Sequence, residues 1–440
     1  MYTSYIGRKF LKLYNDREGK NLSAREFFDD VLFPLFFDDD KHLMHVHGST
    51  FFQKIGKEDI NGGKKESLIR LARLHNDVSQ GRKSGSTYVG YAAENVTEVT
   101  SGQVTSLDCM IDEEEIYASW IGQGFAVGLK GGLLLINEDE ILWIIFTGWR
   151  FYRKFISQTP NIKSRQIETW NGYWLWHSTS HSDLDSLGDN VEVPIGNESE
   201  ETGSSAIITM PWIKIVFSLS KVLPNKIITG YAYVLSKMNS TYGFIKIILP
   251  DVQKMYEMRD VLFINESETV LSDKEIEELS TFYNFKSACQ LSTIGLKAFE
   301  PDKLREFMPK GSILYAQGKE FKFSTEESFL YYQIYKIWII AMLNKTELLN
   351  LASRIASALI ELETADERGK KIFSTLSQEV RDSKNIKEFI EKITSALVQQ
   401  PTNRETFRMV VEEILKMPSD NFPLFITLTR FEYTYQKFKN

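Results

Sequence analysis

The 440-residue sequence predicts an α+β fold, a large mixed α/β N-terminal body followed by a C-terminal antiparallel helical bundle. Three observations predict it. Apolar residues recur at helical spacing from Phe329 to the end, strand-length apolar runs crowd the first 250 residues, and the composition of 42% hydrophobic and 25% charged residues suits a chain that buries large cores. The length favours two or three domains. Pattern alone draws an N-terminal α/β body with a basic loop over 1–180, an acidic surface loop or linker over 181–205, a second α/β unit over 206–328 and the bundle over 329–440.

In the body, Ser23-Ala-Arg-Glu26 is a capping box that starts a helix toward Phe37, with Pro34 and Asp38–Asp40 as its stop. His42–Thr50 alternates like a short strand. Residues 64–80 place Leu68, Leu71 and Leu74 on one helical stripe, and Gln80–Thr87 reads as a flexible polar loop. Strand-like segments dominate from Tyr88 to Phe146, including a hairpin of Leu133–Ile136 and Ile141–Phe146 around the turn Asn137–Glu140. Trp170-Asn-Gly-Tyr-Trp-Leu-Trp176 reads as a packed β-turn, or as a stacking platform. His181–Ser205 holds seven acids and no lysine or arginine, which makes it a surface segment. Strands follow at Ala206–Phe217, Ile227–Val234 and Tyr242–Leu249, and helix-favouring sequence begins near Ser272.

The bundle carries its own stripes: Leu348, Leu351, Ala352, Ile355, Leu359 and Leu362; Ile372, Leu376 and Val380; Ile386, Phe389, Ile390, Ile393 and Leu397. Pro401 stops the third helix, Thr402–Glu405 caps a fourth and Pro418 ends that one. A fifth follows Asp420 with Leu424, Leu428, Phe431, Tyr435 and Phe438. Short connections between such helices make the bundle antiparallel.

Charge and motif content narrow the function. A formal net charge of −7 argues against a polycation that coats nucleic acid, so any such affinity must come from local patches. Cys109 and Cys289, far apart, exclude a disulfide framework and a cysteine-only zinc site, and a reducing cytoplasm fits best. The N-terminus is charged throughout, unlike a signal peptide. Gly131–Phe146 is broken by Glu138–Glu140, and Phe329–Met342 is short and carries Lys336, so neither is a spanning helix. His42, His45 and His47 invite a metal, yet on a strand His42 points away from the other two and no cysteine completes the set. His177 and His181 stand at i, i+4 without the glutamate of a metalloprotease helix. Asn61–Ser67 fails as a phosphate loop because Glu58 occupies the position of its first glycine. With no nucleophile elbow and no Cys–His setting, the expectation is a non-enzymatic chain with no metal and no cofactor.

Binding features stand out instead. Residues 54–83 hold eight cations against four acids, and the candidates there are Lys64, Lys65, Arg70, Arg73, Gln80, Arg82, Lys83 and Ser84, cations for phosphates with amide and hydroxyl groups on a glycine-bearing loop. Thr147–Phe155, extended by Lys163 and Arg165, has five cations, no acid and interleaved aromatics. Trp149, Arg150, Arg153 and Lys154 are its candidates for phosphate contact and base stacking. A solvated charged face and ordinary core packing are the plain alternatives for both segments.

With these pieces placed, the chain resembles the large subunit of type I CRISPR Cascade complexes, through Phe27–Phe37, Ser101–Asp108 and Asn421–Phe431. The resemblance implies a DNA-binding subunit of an RNA-guided complex that senses the motif beside the target, helps open the duplex, lines the displaced strand with its bundle and recruits a separate helicase-nuclease. Its partners would be the guide RNA–protein subunits, target double-stranded DNA and that nuclease, with no membrane. Some relatives release the bundle as a small subunit from an internal start, and Met342 is placed for one. The competing expectations are a defence-associated nuclease holding magnesium through Asp108 or Glu138–Glu140, and a protein-interaction scaffold.

Overall fold

The structure, a computed structural model, describes residues 1–44, 49–56, 65–81, 86–90, 111–180, 192–199, 203–234, 240–263, 271–309, 318–364, 370–399 and 403–439. The fold is α+β, with a mixed five-stranded sheet and a helical C-terminal region. It divides into two compact units, one of residues 1–250 with 284–294, the other of 251–283 with 295–440.

The first unit opens with α1 (Tyr2–Glu18), α2 (Ala24–Phe27), a π-helical turn (Phe28–Leu32) and α3 (Phe33–Phe36). The capping box is present: Ser23 Oγ accepts from the Glu26 amide at 3.2 Å and the Glu26 carboxylate accepts from the Ser23 amide at 2.8 Å. Pro34 does not stop the helix. The Phe33 N–H already bonds the Phe28 carbonyl in the wide π pattern, so a residue without an N–H is tolerated and the chain stays helical to Phe36. Next come α4 (Glu66–Ser79), whose Leu74 and Val78 are buried while Leu68 is exposed, and α5 (Glu113–Gln123). Helices α1 and α5 meet backbone to backbone, because a Cβ on Gly7 would lie 1.8 Å from the Ala118 carbonyl oxygen and one on Gly122 would lie 1.8 Å from that of Thr3.

Strands β1 (Val127–Leu129) and β2 (Gly132–Ile136) form the observed hairpin. The expected one is corrected: Asp139–Gln158 is a single helix, α6, whose buried Ile141, Leu142, Ile145, Trp149, Tyr152 and Ile156 follow helical spacing, with Asp139 and Glu140 favourably placed at its positive end. Trp170–Trp176 is likewise no β-turn. It lies inside α7 (Ile167–Ser180), where Asn171 Nδ2 donates to the Gly124 and Ala126 carbonyls at 2.8 and 2.9 Å. A Cβ on Gly172 would sit 2.5 Å from the Gly128 carbonyl oxygen, so this Asn-Gly pair serves a close helix–strand approach.

Strands β3 (Ile195–Ser199) and β4 (Ser204–Ile207) pair with each other. Of the expected strand Ala206–Phe217 only Ala206 and Ile207 lie in β4, since Trp212–Val222 is helix α8, packed on α7. Strands β5 (Ile227–Val234) and β6 (Ser240–Ile248) agree with expectation. Because β5 pairs with β2, residues expected to belong to a second α/β unit complete the sheet of the first. The sheet order is β1-β2-β5-β6-β7, antiparallel except for the β6–β7 pair. Helix α9 (Leu249–Phe263) starts at the border, and α10 (Asp273–Glu277), capped by Ser272, belongs to the second unit. The chain then returns to the first for α11 (Phe285–Gln290) and β7 (Thr293–Ile294).

The rest of the second unit is helical: α12 (Leu304–Phe307), α13 (Glu326–Leu343), α14 (Glu347–Thr364), α15 (Lys370–Arg381), α16 (Ile386–Gln399), α17 (Arg404–Leu415) and α18 (Phe422–Lys439). The α14 stripe is buried as the sequence predicts, but in α15 Ile372 is exposed and Ser377 and Val380 face inward. Helix α18 packs on α13 and α14. There the Tyr332 hydroxyl donates to Glu432 at 2.7 Å and Lys336 pairs with the same carboxylate at 3.2 Å. Arg430, buried beside them in sequence, donates to the carbonyls of Phe307 at 3.1 Å and Gly318 at 2.6 Å. A product starting at Met342 would lack α13 and leave Glu432 without Tyr332 and Lys336. No helix among the described residues is long and apolar enough to cross a membrane.

Candidate nucleic-acid interface

Two basic segments far apart in sequence meet in the first unit. Between them lies the turn after α3, where Asp38 and Asp40 each take an arginine. Asp38 receives Arg153 of α6 in a bidentate pair at 2.8 and 2.9 Å, and Asp40 receives Arg70 of α4 at 2.7 Å, with Glu66 also 3.2 Å from Arg70. The same turn is pinned by Lys41, which donates to the Thr159 carbonyl at 3.1 Å, and by His42, whose Nε2 is 2.8 Å from Ser157 Oγ. Burial, aided by Arg153, pushes His42 below the ordinary imidazole range.

Beyond this turn, Phe52 stands half-buried at the end of a short 3₁₀ segment (Thr50–Phe52). The Arg165 guanidinium lies over its ring at 4.3 Å, and the Arg165 backbone is left-handed with φ 63°. Arg73 of α4 reaches the Lys54 carbonyl at 3.4 Å. Arg165 thus covers the Phe52 ring, and Arg73 reaches the backbone of the same segment two residues on, at Lys54. Lys54 and Arg165 are exposed, and neither side chain has an ion-pair partner among the described residues. Such an arrangement can hold phosphates with its cations and offer a stacking edge to a base.

The predicted residues divide accordingly. Trp149 is corrected to a core residue: it is fully buried against Phe36, Phe125 and Phe146 and touches no solvent. Arg70 and Arg153 are occupied by carboxylates. Lys65 precedes α4 and is exposed, Gln80 ends that helix with its amide on Asn76, and Arg150 and Lys154 lie one turn apart on the exposed side of α6. Lys64, Arg82, Lys83 and Ser84 lie outside the described residues, as do His45, His47, His181 and Asp108. Sequence reasoning counted Lys54 and Arg165 within the basic segments without singling them out. The nearest signal was the spacing of Phe52 and Lys54, which marks no site until Arg165 folds over the ring.

The carboxylates weighed for magnesium are engaged by lysines: Glu138 is 2.6 Å from Lys226 and Glu140 3.6 Å from it, while Asp139 pairs with Lys9 at 2.9 Å. Among the described residues no group of three or more His, Cys, Asp or Glu is placed to hold a metal ion. Comparison with known proteins finds no matching family model, no matching curated protein and no matching solved structure.

Proposed function

We propose that this chain is the non-catalytic, DNA-binding large subunit of an RNA-guided type I CRISPR interference complex, which senses the motif beside the target, helps open the duplex and recruits a separate helicase-nuclease. The observation that supports its nucleic-acid half is the Arg165 guanidinium over Phe52, with Arg73 on the Lys54 carbonyl and Lys54 exposed beside them, in a chain whose overall charge is −7. Local cations on an acidic background can supply phosphate contacts despite the net charge, which suits a subunit that touches a duplex at a defined point. The particular complex is supported by the resemblance in Phe27–Phe37 and Asn421–Phe431 and by a helical C-terminal region that belongs to the second compact unit.

The test is target-duplex binding across a salt series. Replacing Lys54 and Arg165 with alanine together should weaken binding and lower the slope of log affinity against log salt by about 2, one phosphate for each cation. Arg153→Ala, which removes a cation already held by Asp38, should leave the slope as in the parent chain. Equal slopes for all three proteins would reject the assignment.

A further inference from the structure

Beside the N-terminus of α7 the first unit holds a cavity of about 280 Å³, open to solvent on one side. Leu129, Leu133 and Val234 give it apolar walls, and Glu168, Thr169 and Thr209 give it a polar edge. The volume is at the lower end of ligand pockets and has room for one small planar ring. Glu168 is only 8% exposed, and among the described residues its Oε1 has no hydrogen-bond partner. Buried polar atoms are paired in the great majority of cases, so each orphan requires a reason.

Two more buried polar atoms of the first unit lack a hydrogen-bond partner among the described residues. The oxygen of Gln123 is taken by the Tyr233 hydroxyl at 3.0 Å, which leaves Gln123 Nε2 unpaired. Asn171, one turn along α7 from Glu168, gives its nitrogen to two carbonyls and keeps Oδ1 unpaired. Burial pushes Glu168 up to about 7, opposed by its own backbone N–H and by the Gln123 amide, although Gln123 Nε2 and Glu168 Oε1 complete no hydrogen bond of ordinary geometry. A donor brought by a ligand would favour the ionised carboxylate.

We propose that this cavity receives one amino-bearing nucleobase, its flat faces against Leu129, Leu133 and Val234 and its exocyclic amine donating to Glu168. Carboxylates read the cytosine amine in this way, and an extruded base is commonly held between apolar walls with its edge hydrogen-bonded. The choice of a nucleobase among amine-bearing rings rests on the nucleic-acid reading above. The base can come from a polynucleotide strand or from a free nucleoside, which share this chemistry.

The experiment titrates the full chain with cytidine and uridine, which differ at the amine, and with single-stranded oligo-dC and oligo-dU. Cytosine should bind at least tenfold more tightly than uracil, in both arms for a pocket open to free nucleosides and in the oligonucleotide arm alone for one that needs a strand. Glu168→Leu should erase the preference. Val234→Trp, at the half-exposed wall, should abolish cytosine binding and decides the matter if Glu168→Leu does not fold. No preference in either arm, or a preference that survives in a folded variant, overturns the pocket. Guide RNA is scored in the same preparations: RNA present without a cytosine preference sinks the pocket alone, whereas a preference in a chain whose native assembly holds no guide RNA sinks the complex assignment alone.

Discussion

In the second unit two ionic side chains of α18 turn inward, where Glu432 holds Tyr332 and Lys336 and Arg430 holds three backbone carbonyls; in the first unit Arg70 and Arg153 are paired near the surface, and Lys54 and Arg165 stand open. The contrast separates two uses of charge. A buried ion pair specifies which helices meet, since breaking it strands a charge in the core, whereas an exposed cation contributes little to folding and is available to a ligand. Sequence composition cannot tell these uses apart, because Lys336 and Lys54 are the same residue type.

The largest expected effect lies in the second unit. Glu432→Ala should cost about 3–5 kcal/mol in urea unfolding, because Lys336 and the Tyr332 hydroxyl lose their shared acceptor inside the bundle. A cost below about 1 kcal/mol would break the comparison, placing this pair with the surface ones. In the first unit the sensitive point is steric. Gly7→Ala drives a Cβ into the Ala118 carbonyl and should cost about 3 kcal/mol, with α1 and α5 forced apart.

A smaller effect concerns Glu168, a buried carboxyl of the first unit. Its folded value of about 7 stands above the ordinary 4.5, so the folded state keeps a proton that the unfolded chain releases between those values. Stability conferred by the neutral form is present below about pH 4.5 and is lost as the pH rises toward 7, by about 2–3 kcal/mol. Glu168→Gln should remove this loss, so the unfolding free energy of the parent minus that of the variant should fall from pH 4.5 to above 7 and then level off. A flat difference would return Glu168 to the ordinary carboxylates.

Much of the fold was legible where one periodicity ran long enough. The α14 stripe from Leu348 to Leu362 and the strands β5 and β6 were read correctly, because helical or alternating patterns over eight or more residues leave one solution. Short windows failed. Ile141–Phe146 looks like a strand until Trp149, Tyr152 and Ile156 extend it, and Asn171-Gly172 looks like a turn until Gly128 approaches it from a strand more than forty residues earlier. The candidate interface was legible only as two basic segments. Which cations stay open was decided by Asp38 and Asp40, read in sequence as a helix stop, and by the fold of Arg165 onto Phe52. Pairings over such distances are tertiary facts with no local signature.

The central claim is most directly tested by isolating the native assembly through a tag on this chain and sequencing the nucleic acid it carries. One class of short guide RNA is the expected content of that assembly. An assembly free of such RNA, or one carrying only heterogeneous cellular fragments, would contradict the claim.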